Sequence, residues 1–194
     1  MNRRLCVFCG ALPGLQPAYR QAAEELGRLL AKQSICLVYG GGRVGLMGTI
    51  ADAVLAAGGE TIGIIPQSLF ERELGHQSVG DLRVVGSMHE RKALMEELSD
   101  GFIALPGGFG TLEELFEMIT WLQLGVHRKP CGLLNISGYY DTLLKFLDSV
   151  SAEGFITKED RQLLLSESDP DKLLNRILSF EVPVITKWLA LEQT

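Results

Sequence analysis

The sequence is poor in the residues that carry metal, redox and nucleic-acid chemistry. It holds only three histidines, His76, His89 and His127, none at ligand spacing, so a zinc site lacks donors. Positive charge is also short: 18 Lys and Arg against 24 Asp and Glu give a net charge of -6. The resulting pI near 5.1 argues against a nucleic-acid groove or an anionic membrane surface as partner. No apolar run approaches the roughly 20 residues of a membrane span. The opening MNRRLCVFCG is a charged lead into a short strand, too brief for a signal-peptide core. Cytoplasm is therefore the default compartment.

Cysteine is sparse as well, with four in the chain: Cys6, Cys9, Cys36 and Cys131. Cys6 and Cys9 form a CxxC, but both fall in the first apolar strand. A redox pair needs a helix N-terminus to lower a thiol pKa, and a zinc site needs a second pair. Small buried hydrophobes in strands are the expected role of these residues.

What the chain does have is length and alternation. Its 194 residues, 46% hydrophobic and 22% charged, suit one α/β domain with a sizeable core. Apolar runs at Leu5–Cys9, Ile35–Tyr39, Thr61–Ile65, Leu82–Val85, Phe102–Leu105 and Cys131–Asn135 read as strands. Helical periods fall between them, at Ala18–Lys32, Leu46–Ala57, Glu90–Ser99, Leu112–Leu124 and Tyr139–Ala152. This alternation predicts a doubly wound, Rossmann-like parallel sheet with helices on both faces, as a single domain over 1–194. After about residue 156 the pattern loosens. Leu163–Leu165 reads as a short strand and Asp169-Pro170-Asp171 as the start of a helix through Ser179. From Phe180, with Pro183 and Trp188, the tail reads as a packed or oligomer-facing extension.

Two glycine clusters carry the chemistry. Pro106–Glu114, PGGFGTLEE, runs from an apolar strand into a helix, with a carboxylate on its first turn. Bare N–H groups at a helix start attract anions, phosphate above all. Gly40–Gly48, GGGRVGLMG, follows the second strand and matches GxGxxG at Gly40, Gly42 and Gly45. It is not a dinucleotide fingerprint, because it does not follow the first strand and the next strand ends without an acid. Leu46 stands where a Walker lysine belongs. Two such cradles at neighbouring strand ends would converge on one phosphorylated ligand, a mononucleotide being the economical choice. Gly41, Gly42, Gly45 and Gly107 are the phosphate-loop candidates.

The charged candidates each have a structural alternative. Arg91 can fork onto a phosphate, a ribose hydroxyl or a base edge. On spacing alone, Arg91-Lys92 is more commonly a solvated pair, with Glu96 four residues after Lys92. Thr111-Leu112-Glu113-Glu114 fits a capping box in which Thr111 caps the helix and Glu114 reaches back. Glu113 would then be solvated, and the three histidines structural or exposed. The helix carrying Phe116, Met118, Ile119 and Trp121 is apolar on more than one face, which core burial and an oligomer interface together explain.

GGGRVGLMG, Met88-His89-Glu90-Arg91-Lys92 and PGGFGTLEE, in this order, resemble the LOG (Lonely Guy) family of cytokinin riboside 5'-monophosphate phosphoribohydrolases, once mislabelled lysine decarboxylases. The resemblance runs from Cys6 to about Asn135. It implies a Rossmann-like homodimer that needs no cofactor or metal. Its substrates would be AMP or N6-substituted AMP such as isopentenyl-AMP, and its products the free base and ribose 5-phosphate. Arg91 and Glu114 match the family's catalytic pair, and Glu73 a substrate-binding glutamate. Lys92, Gly108, Phe109, Gly110, Thr111, Leu112, Glu113 and Thr120 match other substrate-contacting positions.

That chemistry also suits the residues by themselves. Breaking an N-glycosidic bond builds positive charge on the ribose, which a carboxylate such as Glu114 stabilises while orienting or deprotonating water. Arg91 would steer Glu114, hold ribose hydroxyls or assist the departing base. A non-catalytic nucleotide or cofactor carrier using the same loops is the alternative. Lysine decarboxylation would need pyridoxal phosphate on a lysine, and no local context for one is evident.

Overall fold

The computed structural model describes residues 3–74 and 80–181, apart from the side chains of Glu73 and Leu74. Apolar runs too short for helices form the strands, beginning with β1 (Arg4–Phe8), β2 (Cys36–Tyr39) and β3 (Thr61–Pro66). Between them lie α1 (Pro17–Lys32) and α2 (Gly45–Ala56). After β3, a short turn α3 (Gln67–Leu69) runs into a π-type turn, Phe70–Leu74. Then follow β4 (Asp81–Val85), α4 (Met88–Glu97), β5 (Phe102–Ala104), α5 (Phe109–Gln123), β6 (Cys131–Leu134) and α6 (Asp141–Ala152). The last described elements are α7 (Lys158–Gln162), β7 (Leu164–Glu167) and α8 (Pro170–Ser179).

All seven strands pair in parallel, in the order β4-β3-β2-β1-β5-β6-β7. Strand side chains alternate between faces, and β1 shows the division. Leu5, Val7 and Cys9 join the core beneath α1, α2 and α8, while Cys6 and Phe8 join the core beneath α4 and α5. The result is the expected doubly wound sheet covered on both faces. The expected extra strand and helix after residue 156 are β7 and α8, which bury Leu165, Leu173, Leu174 and Ile177 in the first core. Pro183 and Trp188 lie outside the described residues, as does His76. No helix among the described residues is long and apolar enough to cross a membrane.

Two local expectations were displaced. The helix expected from Leu112 begins three residues earlier, at Phe109, with Gly108 as N-cap and no side-chain cap. The Thr111–Glu114 capping box does not form. The capping box among the described elements lies at α7 instead, where Thr157 and Asp160 exchange bonds of 3.0 Å. Helix α7 had no counterpart in the sequence reading.

Candidate active site

Strand order reverses at β1, which sits between β2 and β5. In open α/β sheets such a reversal leaves a crevice at the carboxyl ends of the strands. A cleft of about 590 Å³ opens there. The glycine loops after β2 and β5 both line it, but their strands are not neighbours as expected. The turn after β1, from Cys9 to Gly14, lies in the cleft wall with them. Gly10 stitches this turn to both sides: its N–H donates to Pro106 O (3.1 Å), and its carbonyl accepts from Leu46 N–H (3.0 Å).

Arg91 comes to this cleft from α4 and Glu114 from α5, and each residue is only 7% exposed. Arg91 Nη1 donates to Glu114 Oε1 at 2.8 Å, and Arg91 Nε donates to the Ile64 carbonyl at 3.0 Å. The guanidinium is therefore fixed by the sheet on one side and the carboxylate on the other. Gly40 makes room for it, since a Cβ there would lie 2.1 Å from Arg91 Nη2. A solvated surface arginine is thus excluded. Burial raises the Glu114 carboxyl pKa above its usual value; the charge of Arg91 offsets this only in part. Such a carboxylate holds its proton more tightly than an exposed one, which suits a general base.

Thr111 is the third residue of α5 and is buried. The first-turn N–H groups of a helix have no acceptor within it, and the glycine N-cap supplies no side-chain acceptor either. Those groups stand at the cleft, where Gly108, Gly110 and Thr111 are lining residues. A Cβ on Gly108 or Gly110 would meet nothing within 4 Å. The protein's own packing therefore does not demand glycine there, whereas a ligand approaching the backbone would.

The remaining candidates divide. Gly42 and Gly107 line the cleft with Arg91, Gly108, Gly110, Thr111 and Glu114. Gly41 and Gly45 do not line it; they are turn glycines with φ of 71° and 63°, and a Cβ on Gly45 would lie 2.3 Å from the Ala11 carbonyl. Lys92 points away from the lining to a pair of carboxylates on α5, Glu113 and Glu117, the latter at 3.1 Å. The expected Lys92–Glu96 pair is absent, because Glu96 takes Lys129. Glu113 is bridged to Lys92 though half exposed. Phe109 stands 94% exposed beside the cleft, and Leu112 is half-buried. Thr120 is exposed and its hydroxyl donates to Phe116 O within α5. Glu73 falls in the Phe70–Leu74 turn, with its side chain outside the described residues. His89 is exposed and His127 is buried, neither in the lining.

The sequence reading missed Gly10 and Tyr139, both in the lining. Gly10 had a signal, being a glycine directly after the first strand. Tyr139 had none in the spacing. Cys9 also borders the cleft, but burial, and then the nearby Glu114, raises its thiol pKa far above the ordinary value. The thiol stays protonated and is no nucleophile.

The strand order, the reversal at β1 and the helix starts around the cleft define a Rossmann-like α/β protein with a cleft at the switch point. Solved structures agree in fold. The molybdenum cofactor binding protein of Rippkaea orientalis matches with a TM-score of 0.71 at 25% identity, over 92% of this chain and 97% of that one. Sequence narrows the class further. Residues 47–177 match the family model described as possible lysine decarboxylase. A probable cytokinin riboside 5'-monophosphate phosphoribohydrolase of Oryza sativa subsp. japonica is 53% identical over 94% of this chain and 80% of its own. A cytokinin riboside 5'-monophosphate phosphoribohydrolase of Arabidopsis thaliana is 49% identical, over 92% and 82%. The chain belongs to this LOG family of phosphoribohydrolases.

Proposed function

We propose that this protein hydrolyses the N-glycosidic bond of adenosine 5'-monophosphates, including N6-substituted ones, to free base and ribose 5-phosphate. The observation that carries this reading is the buried Arg91–Glu114 pair, at 2.8 Å, in a cleft that also holds the first turn of α5. The N–H groups of that turn anchor the 5'-phosphate. Anchoring at one end positions the ribose C1' at the other, so remote binding energy is used at the reacting carbon. As the C1'–N bond breaks, positive charge builds on C1' and the ring oxygen. Glu114 faces that charge and takes a proton from the attacking water, whose oxygen bonds to C1'. The bond electrons leave with the base, whose nitrogen takes up a proton from solvent, and Glu114 returns the water's proton to solvent. Arg91 holds Glu114 in place, and its charge favours the ionised form against the effect of burial.

A pure carrier has little use for an ionised carboxylate buried beside its ligand, since that burial costs stability. The four cysteines are free, as in a reducing compartment, and the cytoplasm is the compartment this reading implies.

The functional unit in this proposal is a homodimer. Phe109, Leu112, Phe116 and Ile119 follow one another on α5 at spacings of three and four residues, none of them fully buried. That spacing makes a narrow apolar seam suited to a second helix. Thr120 lies beside the seam, about 13 Å along the helix from Thr111 at 1.5 Å per residue. It would serve a ligand in the partner's cleft.

The direct test is chromatography of free base after incubation with AMP and, separately, isopentenyl-AMP. Wild type should release base, and Glu114→Gln should lose on the order of 10²–10³ in kcat. Nucleotide binding without turnover, unchanged by Glu114→Gln, would reject the hydrolase in favour of the carrier.

A further inference from the structure

Three consecutive carbonyls lead into the glycine loop, and each is taken up from outside it. Tyr140 donates its hydroxyl to Leu105 O at 2.6 Å. Gly10 N–H donates to Pro106 O at 3.1 Å, and the Tyr139 hydroxyl donates to Gly107 O at 2.6 Å. A loop that receives an anion must present N–H groups and turn its carbonyl oxygens away, because their partial negative charge repels phosphate. In a trans peptide, C=O and N–H point in opposite directions. Holding Gly107 O therefore also fixes the direction of Gly108 N–H.

The two tyrosines do this under different constraints. Tyr140 is 2% exposed, and a buried hydroxyl needs a partner whatever its function. Tyr139 is 43% exposed and lines the cleft. Water would satisfy its hydroxyl, so burial does not force the reach to Gly107. Its ring is nevertheless held in place, edge-on to Tyr140 at 4.8 Å and to Tyr19 at 5.6 Å. Tyr19 in turn packs against Gly14, where a Cβ would come within 2.7 Å of its ring. The stack thus ties the turns after β1, β5 and β6 together.

We propose that Tyr139 is a positioning residue for the 5'-phosphate, acting by locking the Gly107–Gly108 peptide with its carbonyl turned away from the ligand. This rests on the hydrolase reading above. It assigns a role to a residue outside both glycine motifs, with specificity for the phosphorylated end of the substrate. Adenosine, which lacks that end, gains nothing from the lock.

The test is Tyr139→Phe, which removes the hydroxyl and keeps the ring stack. Turnover of AMP is measured, along with calorimetric binding of ribose 5-phosphate and of adenosine. Loss of one positioning hydrogen bond should weaken ribose 5-phosphate binding and lower kcat/KM for AMP by about tenfold. Adenosine binding should stay within twofold and Tm unchanged. The companion Tyr140→Phe should lower Tm instead, while keeping the wild-type ratio of ribose 5-phosphate to adenosine affinity. Wild-type affinity for ribose 5-phosphate in Tyr139→Phe overturns the inference, and so does equal weakening of both ligands. If the wild type itself neither cleaves AMP nor binds ribose 5-phosphate, the hydrolase reading falls and takes this inference with it.

Discussion

Glu114 is subject to two opposing influences, burial raising its pKa and Arg91 lowering it, and burial prevails. Catalysis in our reading needs the ionised form. The acid limb of kcat/KM against pH should therefore lie above the ~4.3 of an ordinary glutamate. A limb at or below that value would remove Glu114 as the base. The same shift has a sign for stability. A carboxyl whose folded pKa exceeds its unfolded one favours folding when protonated. That contribution is complete below the unfolded pKa and is lost as pH rises through the folded one. Glu114 thus adds nothing to acid unfolding, and a fall in Tm at low pH would have to come from other carboxylates, such as Asp81 and Glu96 in their ion pairs. The importance of this residue could be read from the motif, but its partner was obscured. Arg91 sits next to Lys92 and looks like half of a surface pair; only the approach of α5 to α4 separates them, one into the cleft and one onto Glu113 and Glu117.

At the scale of elements, α5 is where stability and binding separate most cleanly. Gly110 lies in its first turn with open space in front of it. Alanine there suits a helix better than glycine by up to about 1 kcal/mol, yet its methyl would occupy ligand space. Gly110→Ala should therefore raise Tm or leave it unchanged, while raising KM for AMP at least tenfold on the scale of a misplaced contact. Calorimetric melting and steady-state kinetics on one preparation decide it, and a lower Tm would contradict this account of the glycine. The start of α5 also shows where reading the sequence stops working. Thr111 and Glu114 have the letters of a capping box, and Gly108 has the letters of a loop. In the fold Gly108 caps, and the Glu114 carboxylate goes instead to Arg91, 23 residues away in sequence, a partner that local spacing does not reveal. The strands, by contrast, were legible nearly to their ends, since short apolar runs between amphipathic helices have few other ways to be buried. The tyrosine stack was not legible, because it depends on three turns that meet only in the folded sheet.

At the scale of the whole molecule, the seam on α5 makes the assembly testable. Phe116→Lys places a charge in the middle of the seam and should convert a dimer to a monomer in light scattering with size-exclusion chromatography. If the dimer persists, the seam is not its interface. Strand β1 is flanked on both sides, and the edge positions belong to β4 and β7. Fraying starts where a strand has one neighbour, so partial openings of this molecule begin three strands away from β1 on either side. Glu114 and the two glycine loops, carried by the strands that flank β1, are sheltered from the first steps of unfolding, whereas Arg91 reaches the cleft from α4, directly after the edge strand β4. Molecules opened at β7 would keep the Arg91–Glu114 pair, while molecules opened at β4 would lose their hold on α4 and with it the arginine, so the two edges of one sheet differ in what their fraying costs in activity.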